Sequence, residues 1–193
     1  MTNFFQVKKK SKLSNARLGL INTSHGKINT PSFIFCGTKA TVKSVLPSQL
    51  KLARTQIILS NTYHLMLQPG SEIISKEGGL QSFTDWNGPM MTDSGGYQIF
   101  SLGYGSVSEE IKGKNNNAKR KSLIKITEDG ASFRNYINGD KVFLSPERSI
   151  ELQRDFGADL IFVLDECTPF NVSKKYTEKS LYKSHRWAER CIN

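Results

Sequence analysis

Apolar and polar positions alternate from residue 14 to residue 36, with Leu18, Leu20 and Ile28 flanking a polar break at Ser24, His25 and Gly26. Alternation with a period of two predicts strands, and the break predicts a β-hairpin ahead of the main body. Pro31 then leads into Ser32, Phe33, Ile34 and Phe35, a further short strand. From Leu46 the pattern changes: Pro47 opens a short helix over 48–52, and 56–59 follows as a buried strand. Helix feeding strand recurs downstream with clearer punctuation. Ser145 suits an N-cap, Pro146 the first helical position, Glu147 the positive helix end and Gly157 the stop, after which 160–164 is an unbroken apolar run. A strand apolar on both faces is one covered on both faces, the habit of parallel sheets in α/β proteins.

Between these regions the chain is polar. Residues 112–125 hold six basic residues, no acidic one and the triplet Asn115, Asn116, Asn117, a pattern that predicts a solvated loop. Asn138 and Gly139 supply the turn of a second hairpin over 133–143. Residues 173–193 place Leu181, Ser184, Ala188 and Cys191 at helical spacing, with six Lys or Arg elsewhere, which predicts a helix with one narrow apolar face.

Composition narrows the class. Eleven Phe, six Tyr and two Trp in 193 residues can bury a sizeable core, and a mean hydropathy of −0.41 fits a soluble globular chain. The longest apolar run, 160–164, is far short of the roughly 20 residues that span a bilayer. Phe4 and Phe5 are followed at once by Lys8, Lys9 and Lys10, which is no secretory signal, and a cytoplasmic location is the expectation. Three cysteines at wide spacing fit a reducing compartment, and Cys36 and Cys167 read first as buried small residues. A net charge of +10 favours polyanionic partners.

Three places could carry chemistry. Met90–Met91–Thr92 ends in Asp93, Ser94, Gly95, Gly96 and Tyr97, an apolar strand end followed by a carboxylate and a tight turn whose N–H groups a flat ligand can approach. Local sequence alone fits equally a plain turn start at Asp93 and Ser94. Asp165 and Glu166 end the second apolar run, before Cys167, Thr168 and Pro169. Since strand C-terminal ends line active sites in α/β folds, Asp93 and Asp165 are expected to face one pocket. Paired carboxylates suit acid/base or nucleophilic work at a glycosidic bond. The third place, Ser60, Asn61, Thr62, Tyr63 and His64, offers neutral groups for a base or sugar, while His64 beside Leu65 and Met66 also suits a structural role. No dinucleotide loop, phosphate loop or zinc-spaced Cys/His pair occurs.

Together SNTYHLMLQPG (60–70), TDSGGYQIFSL (92–102), LSPERSIELQ (144–153) and DECTP (165–169), with Gly37, Thr38, Ala40, Thr41, Val42 and Lys43 upstream, resemble the tRNA-guanine transglycosylase family, also called queuine tRNA-ribosyltransferases. The resemblance runs from about residue 14 to the end. It implies a TIM (β/α)8 barrel preceded by a small antiparallel sheet. It also implies exchange of guanine at the tRNA anticodon wobble position for preQ1, in queuosine biosynthesis. By the same resemblance Asp93 is the general acid/base, Ser94, Gly95, Gly96 and Tyr97 form the base-binding turn, Asp165 hydrogen-bonds the base, and Cys167 marks the bacterial pocket that accepts preQ1.

Only three barrel strands are legible, near Ile57, Met91 and Ile161, where a barrel needs eight. The expectation is therefore an incomplete barrel: an N-terminal antiparallel segment over 1–45, then the first part of the barrel over 46–193 with a basic insertion near 103–125. The family's nucleophilic aspartate, the rest of its barrel and its zinc subdomain lie outside these residues, so no cofactor is expected in this chain and the isolated chain is expected to be inactive. Expected partners are tRNA, guanine and preQ1, a complementary C-terminal chain, and a second copy in full-length members, with no membrane. The basic loop and terminal helix are expected to meet RNA phosphates. Two other readings keep the same residues: a non-catalytic RNA- or base-binding fragment, which would tolerate Asp93→Asn, and an unrelated glycoside hydrolase using Asp93 and Asp165, with the motif order against it.

Overall fold

The computed structural model describes residues 3–104 and 125–193. The predicted basic loop, apart from Lys125, lies outside the described residues. Two units emerge, Met1–Asp93 with Gln153–Ile161, and Ser94–Leu152 with Phe162–Asn193.

The first unit opens with the predicted hairpin, enlarged by one strand. Strands β1 (Phe5–Lys10), β2 (Arg17–Thr23) and β3 (Gly26–Thr30) form an antiparallel sheet in sequence order, with Ser24 and His25 as the turn. A parallel sheet follows in the order β4 (Phe35–Cys36), β5 (Ile58–Ser60), β6 (Met90–Thr92). Helix α1 (Pro47–Leu52) begins at the predicted proline and connects β4 to β5, while α2 (Thr62–Leu67), α3 (Ser71–Lys76) and α4 (Leu80–Thr84) connect β5 to β6. Of the expected 32–35 strand only Phe35 joins a ladder, together with the following Cys36, and the two belong to the parallel sheet; Phe33 is 73% exposed.

Ile28, Ile57 and Met91 form the buried centre, with Ile21, Ile34, Leu59 and Leu160 packed against it, so hairpin and parallel sheet share one core. Removing such side chains from water contributes about 1.5–3 kcal/mol each. A buried acid pins the same junction. Asp159, its side chain 1% exposed, accepts from the backbone N–H of Met90 at 3.0 Å and of His25 at 3.2 Å, while His25 Nδ1 lies 2.9 Å from its Oδ1.

The expected strand over 160–164 does not form. Leu160 makes a single parallel bridge to Met91 and donates no further ladder among the described residues; Ile161, Phe162 and Val163 are 41%, 49% and 39% exposed, and only Leu164 is buried. A parallel strand needs hydrogen-bonding neighbours as well as cover, and apolar content alone supplies neither.

In the second unit, helix α5 (Gly96–Tyr104) is followed by a three-stranded antiparallel sheet, β7 (Lys125–Ile126), β8 (Ala131–Arg134) and β9 (Lys141–Leu144), the last two being the predicted hairpin. Helix α6 (Pro146–Asp155) starts as predicted, with the backbone N–H of Arg148 donating to Ser145 Oγ at 3.1 Å. Helix α7 (Lys174–Ile192) is capped by Ser173, whose Oγ accepts from the Tyr176 N–H.

The inward face of α7 differs from the predicted one: Ser180 and Trp187 are buried while Leu181 is 51% exposed. Trp187 decides this, because its ring brings the larger apolar area and its Nε1 donates to the Glu128 carbonyl at 2.6 Å. Among the described residues, no helix is long and apolar enough to cross a membrane.

Candidate active site

In the first unit the C-terminal ends of β5 and β6 lie side by side, Ser60 opposite Thr92. The chain beyond β5 therefore reaches the carboxylate beyond β6. Asn61 Nδ2 donates to Asp93 Oδ2, and the Thr62 backbone N–H donates to Asp93 Oδ1 at 2.9 Å. Thr62 Oγ1 also donates to the Asp93 carbonyl at 2.6 Å, and the Asp93 N–H donates to the Ser60 carbonyl at 3.3 Å. Both carboxylate oxygens thus have donors, which fixes the orientation of a half-buried acid.

Ser60 itself is fully buried and donates to the Gly37 carbonyl at 2.9 Å, tying the segment after β4 to this end of the sheet. The polar run 60–64 was expected to offer groups to a base or sugar; two of its members instead hold Asp93. His64 belongs to the same neighbourhood. Burial pushes its imidazole below the ordinary value, Lys39 pushes the same way, and Asp93 opposes them.

The other predicted site residues fall in the second unit. Ser94 is 6% exposed, and its carbonyl accepts from Ser149 Oγ at 2.8 Å. Its own Oγ accepts from the Gly96 N–H at 3.3 Å and faces Asp165 Oδ1 at 3.5 Å. Gly95 has φ +85°, in the region where a side chain is strained, and Gly96 is closely hemmed in: a Cβ there would meet the Asp165 carbonyl at 2.6 Å and its Oδ1 at 2.8 Å.

The glycine pair is therefore what allows helix α5 to begin against the Asp165 carboxylate. Gly96, Leu164, Asp165 and Cys167 line one hollow, with Trp187 and Ile99 among its walls. Asp165 is exposed, Tyr97 is 50% exposed, and Cys167 is half-buried. Cys36, expected inside, is exposed at the end of β4, where that strand's ladder stops.

Glu166 separates from its neighbour in role. It is 9% exposed: Tyr176 Oη donates to its Oε1 at 2.8 Å, and Lys183 Nζ pairs with its Oε2 at 3.1 Å. Ser180 Oγ donates to its carbonyl at 2.9 Å, and its N–H donates to Ser184 Oγ at 3.0 Å. Four side chains of α7 are thus spent on anchoring Glu166; both acids border the hollow, and Asp165 is the exposed one of the two. No three His, Cys, Asp or Glu side chains among the described residues come together in a way that could hold a metal ion.

Comparison with known proteins gives one answer. The family model for queuine tRNA-ribosyltransferase matches residues 11–193. A queuine tRNA-ribosyltransferase of Roseiflexus sp. (strain RS-1) is 45% identical over 193 residues, all of this chain and 48% of that protein. Those of Staphylococcus haemolyticus (strain JCSC1435) and Staphylococcus aureus (strain JH9) are 47% and 46% identical over 185 residues, 96% of this chain and 44% of each relative. The chain spans about half the length of the curated relatives it matches.

Proposed function

The chain belongs to the queuine tRNA-ribosyltransferase family, and from that premise we propose that it carries the base-recognition and proton-transfer groups of a tRNA-guanine transglycosylase that installs preQ1 in place of the wobble guanine. Its parallel strands β4, β5 and β6 are, on this reading, the first strands of a (β/α)8 barrel, with the reactive groups at their C-terminal ends. The observation that carries the proposal is the close approach of Gly96, Asp165 and Cys167 around one hollow, which sets an exposed carboxylate beside the tight Gly95–Gly96 turn.

A guanine-type base presents N1–H and an exocyclic amine side by side, and a carboxylate accepts both, which is the role of Asp165. A base whose sugar bond is under attack must leave the stack, and the half-exposed Tyr97 is suited to cover its face. When the N9–C1′ bond breaks, the leaving guanine gains a proton, and the incoming base gives one up when the new bond forms. Asp93, protonated beforehand, gives its proton to the leaving base and takes one back from the incoming base. Cys167, half-buried and small, leaves room for the aminomethyl group of preQ1. The resemblance assigns the covalent step to a nucleophilic aspartate outside these 193 residues, so on this reading a polypeptide of these residues alone binds the base and does not exchange it; the full reaction is on tRNA in the cytoplasm.

Calorimetric titration of the chain with guanine and with preQ1 tests the recognition half. Both bind, and Asp165→Asn weakens them at least tenfold, because an amide offers one acceptor where the base needs two. Incubation with tRNA and radiolabelled guanine tests the other half: the chain alone incorporates none. Undiminished binding by the Asp165→Asn variant, or turnover by the isolated chain, refutes the proposal.

A further inference from the structure

The charge of this chain is unevenly distributed. Residues 1–71 contain ten Lys or Arg and no Asp or Glu, whereas residues 72–193 contain 17 of each sign, so the whole net charge of +10 belongs to the first 71 residues. Six of those ten cations, Lys8, Lys9, Lys10, Lys12, Arg17 and Lys27, lie on the β1–β2–β3 sheet and its first turn, and all six are exposed.

Their register divides them between the outer face of the sheet and its open end. Residues opposite one another in an antiparallel pair point to the same side, and successive residues alternate. Ile21 faces Ile28 and both turn to the core, so the pairs Leu20–Asn29 and Asn22–Lys27 turn outward. Leu18 lies on that outward side with Leu20, and Lys9 is its partner across β1. Lys8 occupies the bulge beside it, with its Nζ donating to Gln6 Oε1 at 2.8 Å. Lys10 and Arg17 face each other at the open end of the β1–β2 pair, next to Lys12. With a rise of about 3.4 Å per residue and about 4.8 Å between strands, these ammonium and guanidinium groups repeat at a spacing that a chain of phosphates can match.

None of the six is in an ion pair with another described residue. The terminal helix differs. Three of its six cations are already committed to acids of this chain: Lys183 to Glu166, Arg186 to Glu128 at 2.6 Å and Arg190 to Glu147 at 2.6 Å. A cation neutralised internally releases few counterions when it meets a polyanion, so the helix is the weaker contributor.

We propose that the outer face and open end of the β1–β2–β3 sheet are a docking surface for an RNA sugar–phosphate backbone, separate from the base hollow. The choice of RNA over another polyanion rests on the proposed function; the existence of the surface does not. Each phosphate neutralised lowers the logarithmic salt slope by about 0.7–0.9, so four contacts account for a slope of roughly 3.

The test uses the full chain and unmodified tRNA, followed by fluorescence anisotropy between 50 and 200 mM salt. One variant combines Lys8→Gln, Lys9→Gln, Lys10→Gln and Arg17→Gln. A charge-matched control combines Lys141→Gln, Lys174→Gln, Lys175→Gln and Lys179→Gln in the second unit, and circular dichroism verifies that both fold. The sheet variant loses at least tenfold in affinity and roughly 3 in salt slope, whereas the control changes less than threefold. Equal losses in the two variants, no loss in the first, or attachment of the wild-type chain to phosphatidylserine vesicles without tRNA binding overturns the proposal. Guanine titration keeps the two readings apart: guanine uptake without tRNA binding sinks the docking surface alone, and tRNA binding through these lysines without guanine uptake sinks the base hollow alone.

Discussion

A single methyl group added at Gly96 should damage both stability and base binding. In the Gly96→Ala variant the new Cβ would lie 2.6 Å from the Asp165 carbonyl oxygen and 2.8 Å from its Oδ1, against an ordinary contact of 3.4 Å or more. One of those atoms is backbone, so the clash is relieved only by moving the segment around Asp165 by about 0.8 Å or by displacing the first turn of α5. Overpacking of this kind costs about 1–3 kcal/mol, less up to about 1 kcal/mol returned by alanine's better helix propensity. For a chain of this size each kcal/mol lowers the melting temperature by about 2–4 °C.

The functional loss is larger. Shifting a carboxylate by about 0.8 Å stretches hydrogen bonds of about 2.9 Å beyond 3.5 Å, where they no longer count. Losing one charge-assisted bond of about 1.5–3 kcal/mol weakens guanine at least tenfold. Thermal melts and calorimetric titration of the same preparation check the two halves. A Gly96→Ala variant with wild-type melting and wild-type guanine affinity would refute the claim that the turn is built for the close approach of Asp165.

Two further expectations concern the second unit. Glu147 is held down to about 2, chiefly by its hydrogen bonds to Arg190. A carboxyl depressed in the folded state stabilises above its unfolded value of 4.5 and loses that contribution as the pH falls toward 2. The stability gap between wild type and Arg190→Gln in urea titrations should therefore narrow between pH 4.5 and 2, down to the part due to the Arg190 bonds to the Glu128 and Asp129 carbonyls; a gap as large at pH 2 as at pH 6 contradicts it. Glu166→Ala should cost about 3–5 kcal/mol, since it strands the Lys183 ammonium, whereas Glu166→Ala combined with Lys183→Met should recover part of that loss. Urea midpoints of the single and double variants decide, and equal midpoints would mean the pair is not coupled.

How far the sequence could be read depended on whether a feature was local. Ser145, Pro146 and Gly157 bracket α6 because capping and φ restriction act within a few residues, and the Asn138–Gly139 turn sets β8 against β9 for the same reason. The motifs around Asp93 and Asp165 were legible too, as acids closing apolar runs. Features that depend on a distant partner were not. The apolar run 160–164 carries the composition of a buried strand, yet a strand exists only where a neighbouring strand continues the ladder, and among the described residues the pairing stops at the Leu160–Met91 bridge. No sequence signal singles out Asp159, although its carboxylate is buried and gathers the backbone of Met90 and His25, which are 69 and 134 positions away.

The two acids of DECTP look alike on paper, and only the placement of α7 separates them, because Tyr176, Ser180, Lys183 and Ser184 all bind Glu166. The run SNTYH shows the same dependence in the other direction. Its amide and hydroxyl suit a ligand as well as a carboxylate, and the parallel register that sets Ser60 beside Thr92 brings Asn61 and Thr62 to Asp93. A residue's chemistry thus names the set of partners it can serve, and strand register selects among them. The candidate acid/base was therefore visible in the sequence while the groups that orient it were visible only as polar residues of unassigned purpose.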